Sequence, residues 1–153
     1  MSHKDPKYSI VAPIFNEEET LPEFFRRICA VVQELDSSAE LVLIDDGSTD
    51  NSLALIREFQ VQESFIRVLS FSRNFGHQVA ITAGIDYAQG SAVIVIDSDL
   101  QDPPELIPDL IKKWEEGNDV VHTIRTKRKG ENVIRMFLVK MAYKVIDSLS
   151  DIK

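Results

Sequence analysis

Four short runs of apolar and β-branched residues recur along the chain, at 8–12, 41–44, 66–71 and 92–96, and each breaks off into a polar string. Runs of this length, bounded by Pro, Asp, Asn or Gly, predict buried β-strands. A weaker run at 120–124 predicts a fifth strand. Between the runs, apolar residues return at three- and four-residue spacing, which predicts helices over 18–35, 52–62, 78–88 and 104–116, and a last one from about 131 to 149. Thr49, Asp50 or Asn51 suits the cap of the second helix, Pro103-Pro104 suits a loop entering a first helical turn, and Gly117 suits a helix stop. Strand and helix alternate throughout, so the pattern predicts an α/β fold: a mainly parallel sheet with helices on both faces. Ligands of such sheets bind beyond the carboxyl ends of the strands, which directs attention to the polar residues after each run.

Composition narrows the picture without redirecting it. A length of 153 residues with 44% hydrophobic content suits one ordinary domain with a filled core. No run reaches the roughly 18 apolar residues of a membrane span, and the first seven residues are too polar for a secretory signal, so a soluble, intracellular chain is expected. Cys29 is the only cysteine and falls in the helical stripe Leu21, Phe24, Phe25, Ile28, Val32, Leu35, as a buried structural thiol would. The formal net charge of −8 argues against nucleic acid as a partner. That charge is uneven, because residues 125–153 hold eight Lys or Arg against three Asp or Glu. The basic end is either a solvated helix face or a surface for phosphate groups or an anionic membrane.

The strand ends carry the chemistry. After the first run come Asn16 and Glu17, followed by Glu18 and Glu19. Helix capping alone accounts for the acids, while Asn16 and Glu17 also suit hydrogen bonds to a base or ribose. After the second come the adjacent carboxylates Asp45 and Asp46, which repel each other and so demand compensation. Asp45 can cap a turn, and acids here suit the N–H and hydroxyl donors of a nucleoside better than its phosphates. After the third come Arg73, a fixed positive fork for a phosphate, then Gly76 and His77, the last read as an exposed residue at a helix start. After the fourth come Asp97-Ser98-Asp99 and Gln101. Side-chain direction repeats every two residues in extended chain, so Asp97, Asp99 and Gln101 share one side if the strand continues. Two carboxylates and an amide oxygen suit Mg²⁺ or Mn²⁺ with positions left for diphosphate oxygens.

Taken in order, Tyr8-Ser-Ile-Val-Ala-Pro-Ile-Phe-Asn-Glu-Glu, Ile44-Asp-Asp-Gly-Ser-Thr-Asp, Ser72-Arg-Asn-Phe-Gly and Asp97-Ser-Asp-Leu-Gln-Asp-Pro-Pro-Glu-Leu resemble the inverting family 2 glycosyltransferases of GT-A fold. Within that family the resemblance is to the polyprenyl-phosphate branch of dolichol-phosphate mannose synthases and bactoprenol glucosyltransferases. It implies a Rossmann-like nucleotide-diphospho-sugar transferase fold. Pro13, Phe15, Glu17, Ile44 and Asp46 would surround the base and ribose, with Ser98 beside the ribose. Asp97, Asp99 and Gln101 would hold the cation on the donor diphosphate, Arg125 would lie near the phosphates, and Arg128 would meet the acceptor phosphate. Asp99 and Arg125 are thereby the catalytic candidates.

The implied reaction moves a sugar from a UDP- or GDP-linked donor to a polyprenyl phosphate with inversion, for cell-envelope glycan or lipopolysaccharide modification. The full-length family member would work at the inner face of the membrane, and the helix over 131–149 suits either that interface or core packing. Members of the family continue past a segment like the one at 141–147 into an acceptor-side part and, in many, membrane helices. Residues 1–153 are therefore expected to be the donor-binding portion of a single GT-A catalytic domain. Two alternatives stay open: a fragment that binds nucleotide sugar and metal without turnover, and a family 2 transferase with a saccharide acceptor. A homo-oligomer is also left open. A haloacid-dehalogenase-type phosphatase fits poorly, since Gln101 stands where it places Thr or Val. A receiver-like domain leaves the string at 97–104 unexplained, and no Gly-x-Gly-x-x-Gly follows the first strand to support a dinucleotide-binding oxidoreductase.

Overall fold

A computed structural model describes residues 6–35 and 38–124, and those as far as Val121 form one compact unit. Its centre is a parallel sheet of four strands, β1 (Tyr8–Ile14), β2 (Ala39–Asp45), β3 (Ile66–Ser70) and β4 (Ala92–Val95), in the order β3-β2-β1-β4. The register aligns Ile14 with Asp45 and Asp45 with Ser70, and Val11 with Val95 on the other side, so the polar strings leave the sheet at one end. Helices α1 (Leu21–Glu34), α2 (Ser52–Gln62), α3 (His77–Tyr87) and α4 (Ile107–Glu115) complete the expected alternation.

Strand alternation sorts the core into two faces. Ile10, Ala12 and Ile14 of β1 and Leu41 and Leu43 of β2 pack with Phe24 and Ile28 of α1, Ile56 of α2 and Ile107 of α4. Val11, Val42 and Ile44 face the other way and pack with Ala80 of α3. Gly84 lets α3 lie this close, since a Cβ there would collide with the side chains of Val11 and Ile44. Cys29 is buried as its stripe predicts, and burial pushes its thiol up to about 11.

Three boundaries differ from expectation. Helix α1 begins at Leu21 rather than at residue 18: the Glu17 carbonyl accepts the N–H groups of Thr20 and Leu21 in a turn, and Pro22 fixes the first helical turn. The fourth helix is split into a 3-10 turn, Pro104–Leu106, and α4, because Pro108 has no N–H to donate to the Pro104 carbonyl. The run at 120–124 is not a strand, and Val120 and Ile124 are 69% and 84% exposed. A five-residue apolar run becomes a strand only where a ladder receives it, and these residues join none in the described sheet. The helix expected over 131–149 lies outside the described residues. Gly117 stops α4 with φ 97°, its N–H bonded to the Trp114 carbonyl. No helix among the described residues is long and apolar enough to cross a membrane.

At the amino ends of the strands lies a buried polar network. The Glu40 carboxylate accepts from the Ser9 hydroxyl and the Gln89 N–H, both at 2.6 Å, and from Arg67 at 3.1 Å. Ser9 accepts in turn from the Gly90 N–H, and the Arg67 guanidinium stacks over the Tyr87 ring at 4.2 Å.

Candidate active site at the carboxyl ends of the strands

The loops after β1 and β2 are stitched together by side chains of the motif that separates them. Asn16, at φ 55°, accepts the Thr49 N–H at 2.8 Å and donates its own N–H to the Ser48 hydroxyl. Glu17 donates its N–H to Ser52, Glu18 donates to Asp50, and the Glu18 carboxylate accepts both the backbone and side-chain N–H of Asn51. Asn51 is the residue before α2, yet it caps nothing with its side chain; Asp50 accepts the Ser52 N–H instead. Much of the Asp-Gly-Ser-Thr-Asp string thus fixes loop shape.

The adjacent acids divide their work. Asp45 is fully buried and accepts the Ser48 N–H and the Ser70 hydroxyl, which makes it the builder of the turn after β2. Asp46, also buried, accepts the N–H groups of Phe75 and Gly76 at 2.7 and 2.9 Å, and so ties down the loop after β3. Their mutual repulsion is offset by these four donors, one pair to each carboxylate. Between the loops Gly47 sits at φ 70°, where a Cβ would run into the backbone of Arg73 and Asn74.

After β4 the chain does not stay extended. Residues 98–99 turn, and Leu100 takes φ 61°. Ser98 is buried with its hydroxyl bonded to the Pro13 carbonyl at 3.1 Å, and Asp99 accepts the Gln101 N–H at 2.9 Å. The turn replaces strand alternation as the reason why Asp97 and Asp99 share a wall.

These three loop systems enclose a cleft of about 360 Å³. One wall is Pro13, Ile14, Phe15 and Glu17 from the end of β1, another is Asp46 with Asn74, Gly76 and His77, and the third is Asp97, Ser98 and Asp99. His77 Nε2 stands 3.5 Å from Asp97 Oδ1. Of the residues singled out in the sequence, Pro13, Phe15, Glu17, Asp46, Asp97, Ser98 and Asp99 therefore meet in one place. Ile44 does not: alternation puts it under α3, fully buried in the core. Asn16 supports the rim through its bonds to Ser48 and Thr49, and Arg73 lies over the Phe75 ring at 4.5 Å rather than on the cleft wall. Gln101 presents its backbone N–H to Asp99 and is not a lining residue. Arg125 and Arg128 lie outside the described residues. Asn74 and His77 join the lining; their place just past a strand end was the available signal, but a polar loop residue carries no chemistry by itself.

Four acidic residues line this space, Glu17, Asp46, Asp97 and Asp99. A diphosphate would be repelled there unless a cation intervened. Among the described residues, no three His, Cys, Asp or Glu side chains are grouped to cage a metal ion. Two hard carboxylates on one wall nevertheless fit Mg²⁺ or Mn²⁺, which take one or two protein carboxylates and complete their shell with phosphate oxygens and water.

The profile of the Glycosyl transferase family 2 matches residues 9–147. An uncharacterized glycosyltransferase, YkcC, of Bacillus subtilis is 47% identical over 146 residues, covering 95% of this chain and 45% of its own length. A prophage bactoprenol glucosyl transferase homolog of Escherichia coli is 40% identical over 147 residues, covering 96% of this chain and 48% of its own. The chain thus spans about half the length of these relatives. The mannosyltransferase PcManGT of Pyrobaculum calidifontis, solved with GDP-Man and Mn²⁺, superposes with a TM-score of 0.59 at 20% identity over 72% of this chain and 32% of that one, a likeness of fold. The four-stranded parallel sheet, its flanking helices and these matches agree on the GT-A architecture, and the chain belongs to the family 2 glycosyltransferases.

Proposed function

We propose that this chain is the donor-binding part of an enzyme that moves a sugar from a nucleoside-diphosphate sugar to a polyprenyl phosphate, with inversion at the anomeric carbon. The observation that carries the donor side is the convergence of Glu17, Asp46, Asp97 and Asp99 on one cleft at the strand ends. Glu17 and Asp46 accept hydrogen bonds from the nucleoside, Phe15 and Pro13 give it an apolar wall, and Asp97 and Asp99 hold Mg²⁺ or Mn²⁺. When bound, the cation neutralises charge on the departing diphosphate. Ser98 keeps the Asp97–Asp99 turn against β1 through its bond to Pro13, so the acids are placed before ligand arrives.

The acceptor side is supported by the 40% identity to a relative named for bactoprenol glucosyl transfer. A phosphate monoester is already anionic at neutral pH, so it needs less help from a base than a sugar hydroxyl would. Orientation and charge stabilisation then suffice. In this reading Arg125 faces the donor phosphates and Arg128 the acceptor phosphate, an assignment that rests on the sequence resemblance. The basic stretch at 125–153 suits an enzyme whose lipid acceptor sits in an anionic membrane.

Calorimetric titration with UDP and with GDP, each with Mn²⁺ and with EDTA, tests the donor side. Cation-dependent binding of one nucleotide is the expected outcome. No binding of either, or binding indifferent to the cation, would overturn the reading. The acceptor side is tested by sugar transfer in the full-length protein, offered polyprenyl phosphate against a free oligosaccharide; transfer to the saccharide alone would replace the lipid acceptor with a carbohydrate one.

A further inference from the structure

The two acidic loops of the cleft are connected through His77. Both oxygens of the buried Asp46 are engaged by the N–H groups of Phe75 and Gly76, the two residues immediately before His77. Gly76 then takes φ 101° and turns the loop into α3, leaving His77 as the first helical residue. From there Nε2 reaches to 3.5 Å of Asp97 Oδ1. At this distance the pair is in contact without forming a hydrogen bond, and catalytic-site bonds are often long or poorly aligned until ligand binds. The other acid of the turn has a counterpart arrangement, since Asp99 is held by the Gln101 N–H at 2.9 Å. Each acid thus has a nitrogen beside its Oδ1, from His77 at Asp97 and from the Gln101 backbone at Asp99.

We propose that His77 is a positioning residue: it orients the Asp97 carboxylate toward the cation and donor diphosphate, and Asp46 sets His77 through the Phe75 and Gly76 backbone. The inference rests on the donor-binding reading above. Partners that orient metal-binding carboxylates are worth about 10–100-fold in metal affinity when removed. His77 has a side chain 52% exposed, so its replacement leaves the fold in place.

The experiment measures Mn²⁺ binding to the protein in the presence of UDP or GDP, by electron paramagnetic resonance of free Mn²⁺, for the native chain, His77→Ala and His77→Gln. Nucleotide affinity in EDTA is measured alongside, and thermal melts confirm folding. In His77→Ala the ratio of nucleotide affinities with and without Mn²⁺ should fall about tenfold, and His77→Gln, whose amide can still donate, should recover most of it. A ratio within twofold of the native value in His77→Ala would overturn the proposal, as would an equal loss with and without Mn²⁺, because either places His77 outside the orientation of Asp97. Absence of Mn²⁺-dependent nucleotide binding in the native chain would instead defeat the donor-binding reading, and this inference with it.

Discussion

The two ends of the sheet both bury carboxylates, and they treat them differently. At the amino end Glu40 is paired with Arg67 and closed in by Ser9 and the Gln89 N–H, so its charge and its acceptor sites are spent inside the protein. At the carboxyl end Asp45 and Asp46 take backbone N–H groups and a serine hydroxyl, while Asp97 faces a histidine. Among the described residues no lysine or arginine pairs with any of these acids. Backbone N–H and hydroxyl donors orient a carboxylate without cancelling its charge. The difference separates Glu40, whose charge is paired within the fold, from Asp46 and Asp97 on the cleft wall, whose charge no lysine or arginine pairs among the described residues.

Removing Glu40 should give the largest effect on stability and a small one on binding. In Glu40→Ala the Arg67 guanidinium, the Ser9 hydroxyl and the Gln89 N–H lose their shared acceptor, and breaking such a partly buried pair costs about 3 kcal/mol. Urea melts should show that loss, while the folded fraction binds nucleotide within twofold of the native chain. A large drop in nucleotide affinity at full folding would mean that the two ends are coupled and that the contrast is false.

Gly47→Ala should affect both properties, because this residue joins the scaffold to the site. A side chain at φ 70° costs about 1–2 kcal/mol, and the collision with the Arg73 and Asn74 backbone adds to it. Since those residues lead into the Phe75 and Gly76 N–H groups held by Asp46, Mn²⁺-dependent nucleotide affinity should fall at least tenfold along with about 2 kcal/mol of stability. Loss of stability with unchanged affinity would show that the loop after β3 does not shape the cleft.

How far these roles could be read from sequence depends on the range of the contacts involved. The strands, the helix order and the strand-end location of the site follow from local periodicity, and Asp97 with Asp99 follows from that location. Ile44 was also within reach, because strand alternation pairs it with Val42 on the α3 face, opposite Leu43. The division of work between Asp45 and Asp46 was not, since it is decided by Ser70, Phe75 and Gly76 some 25 to 30 residues away. The Glu40 network was hidden for the same reason: its members come from the starts of three strands and the loop before the fourth, each an unremarked polar residue in its own segment. The run at 120–124 misled because local β-branched composition does not supply a neighbouring strand.

Asp99→Asn should reverse the pattern of Glu40→Ala. Asp99 is partly exposed and its bond from the Gln101 N–H survives in the amide, so stability should change by less than about 0.5 kcal/mol. Cation-dependent nucleotide binding should weaken about tenfold or more, equivalent to about 1.4 kcal/mol, when a hard anionic ligand becomes a neutral one. An unchanged response to Mn²⁺ in calorimetry would remove Asp99 from the cation site and leave Asp97 to be tested alone.

The smallest effect belongs to an acid just beyond the cleft that does have a cationic partner. Arg27 of α1 holds both oxygens of Glu105, in the 3-10 turn that follows the Asp97–Asp99 loop. Hydrogen bonding from the Arg27 guanidinium lowers the Glu105 carboxyl to about 2 from its usual 4.5. A folded value below the unfolded one means that the pair stabilises fully above about pH 4.5 and loses its contribution as pH falls toward 2. Glu105 is 54% exposed, so solvent screens the pair and Arg27→Met should cost only about 0.5 kcal/mol at pH 7 in low salt. That difference from the native chain should shrink in denaturant melts below pH 4.5 and in 1 M salt, with nucleotide affinity at pH 7 unaffected. If it persists unchanged at pH 2.5, Arg27 acts through the packing of its stem on α1 and not through its charge. If nucleotide affinity falls instead, the paired acid belongs with the cleft acids, and pairing with a cation no longer distinguishes scaffold from site.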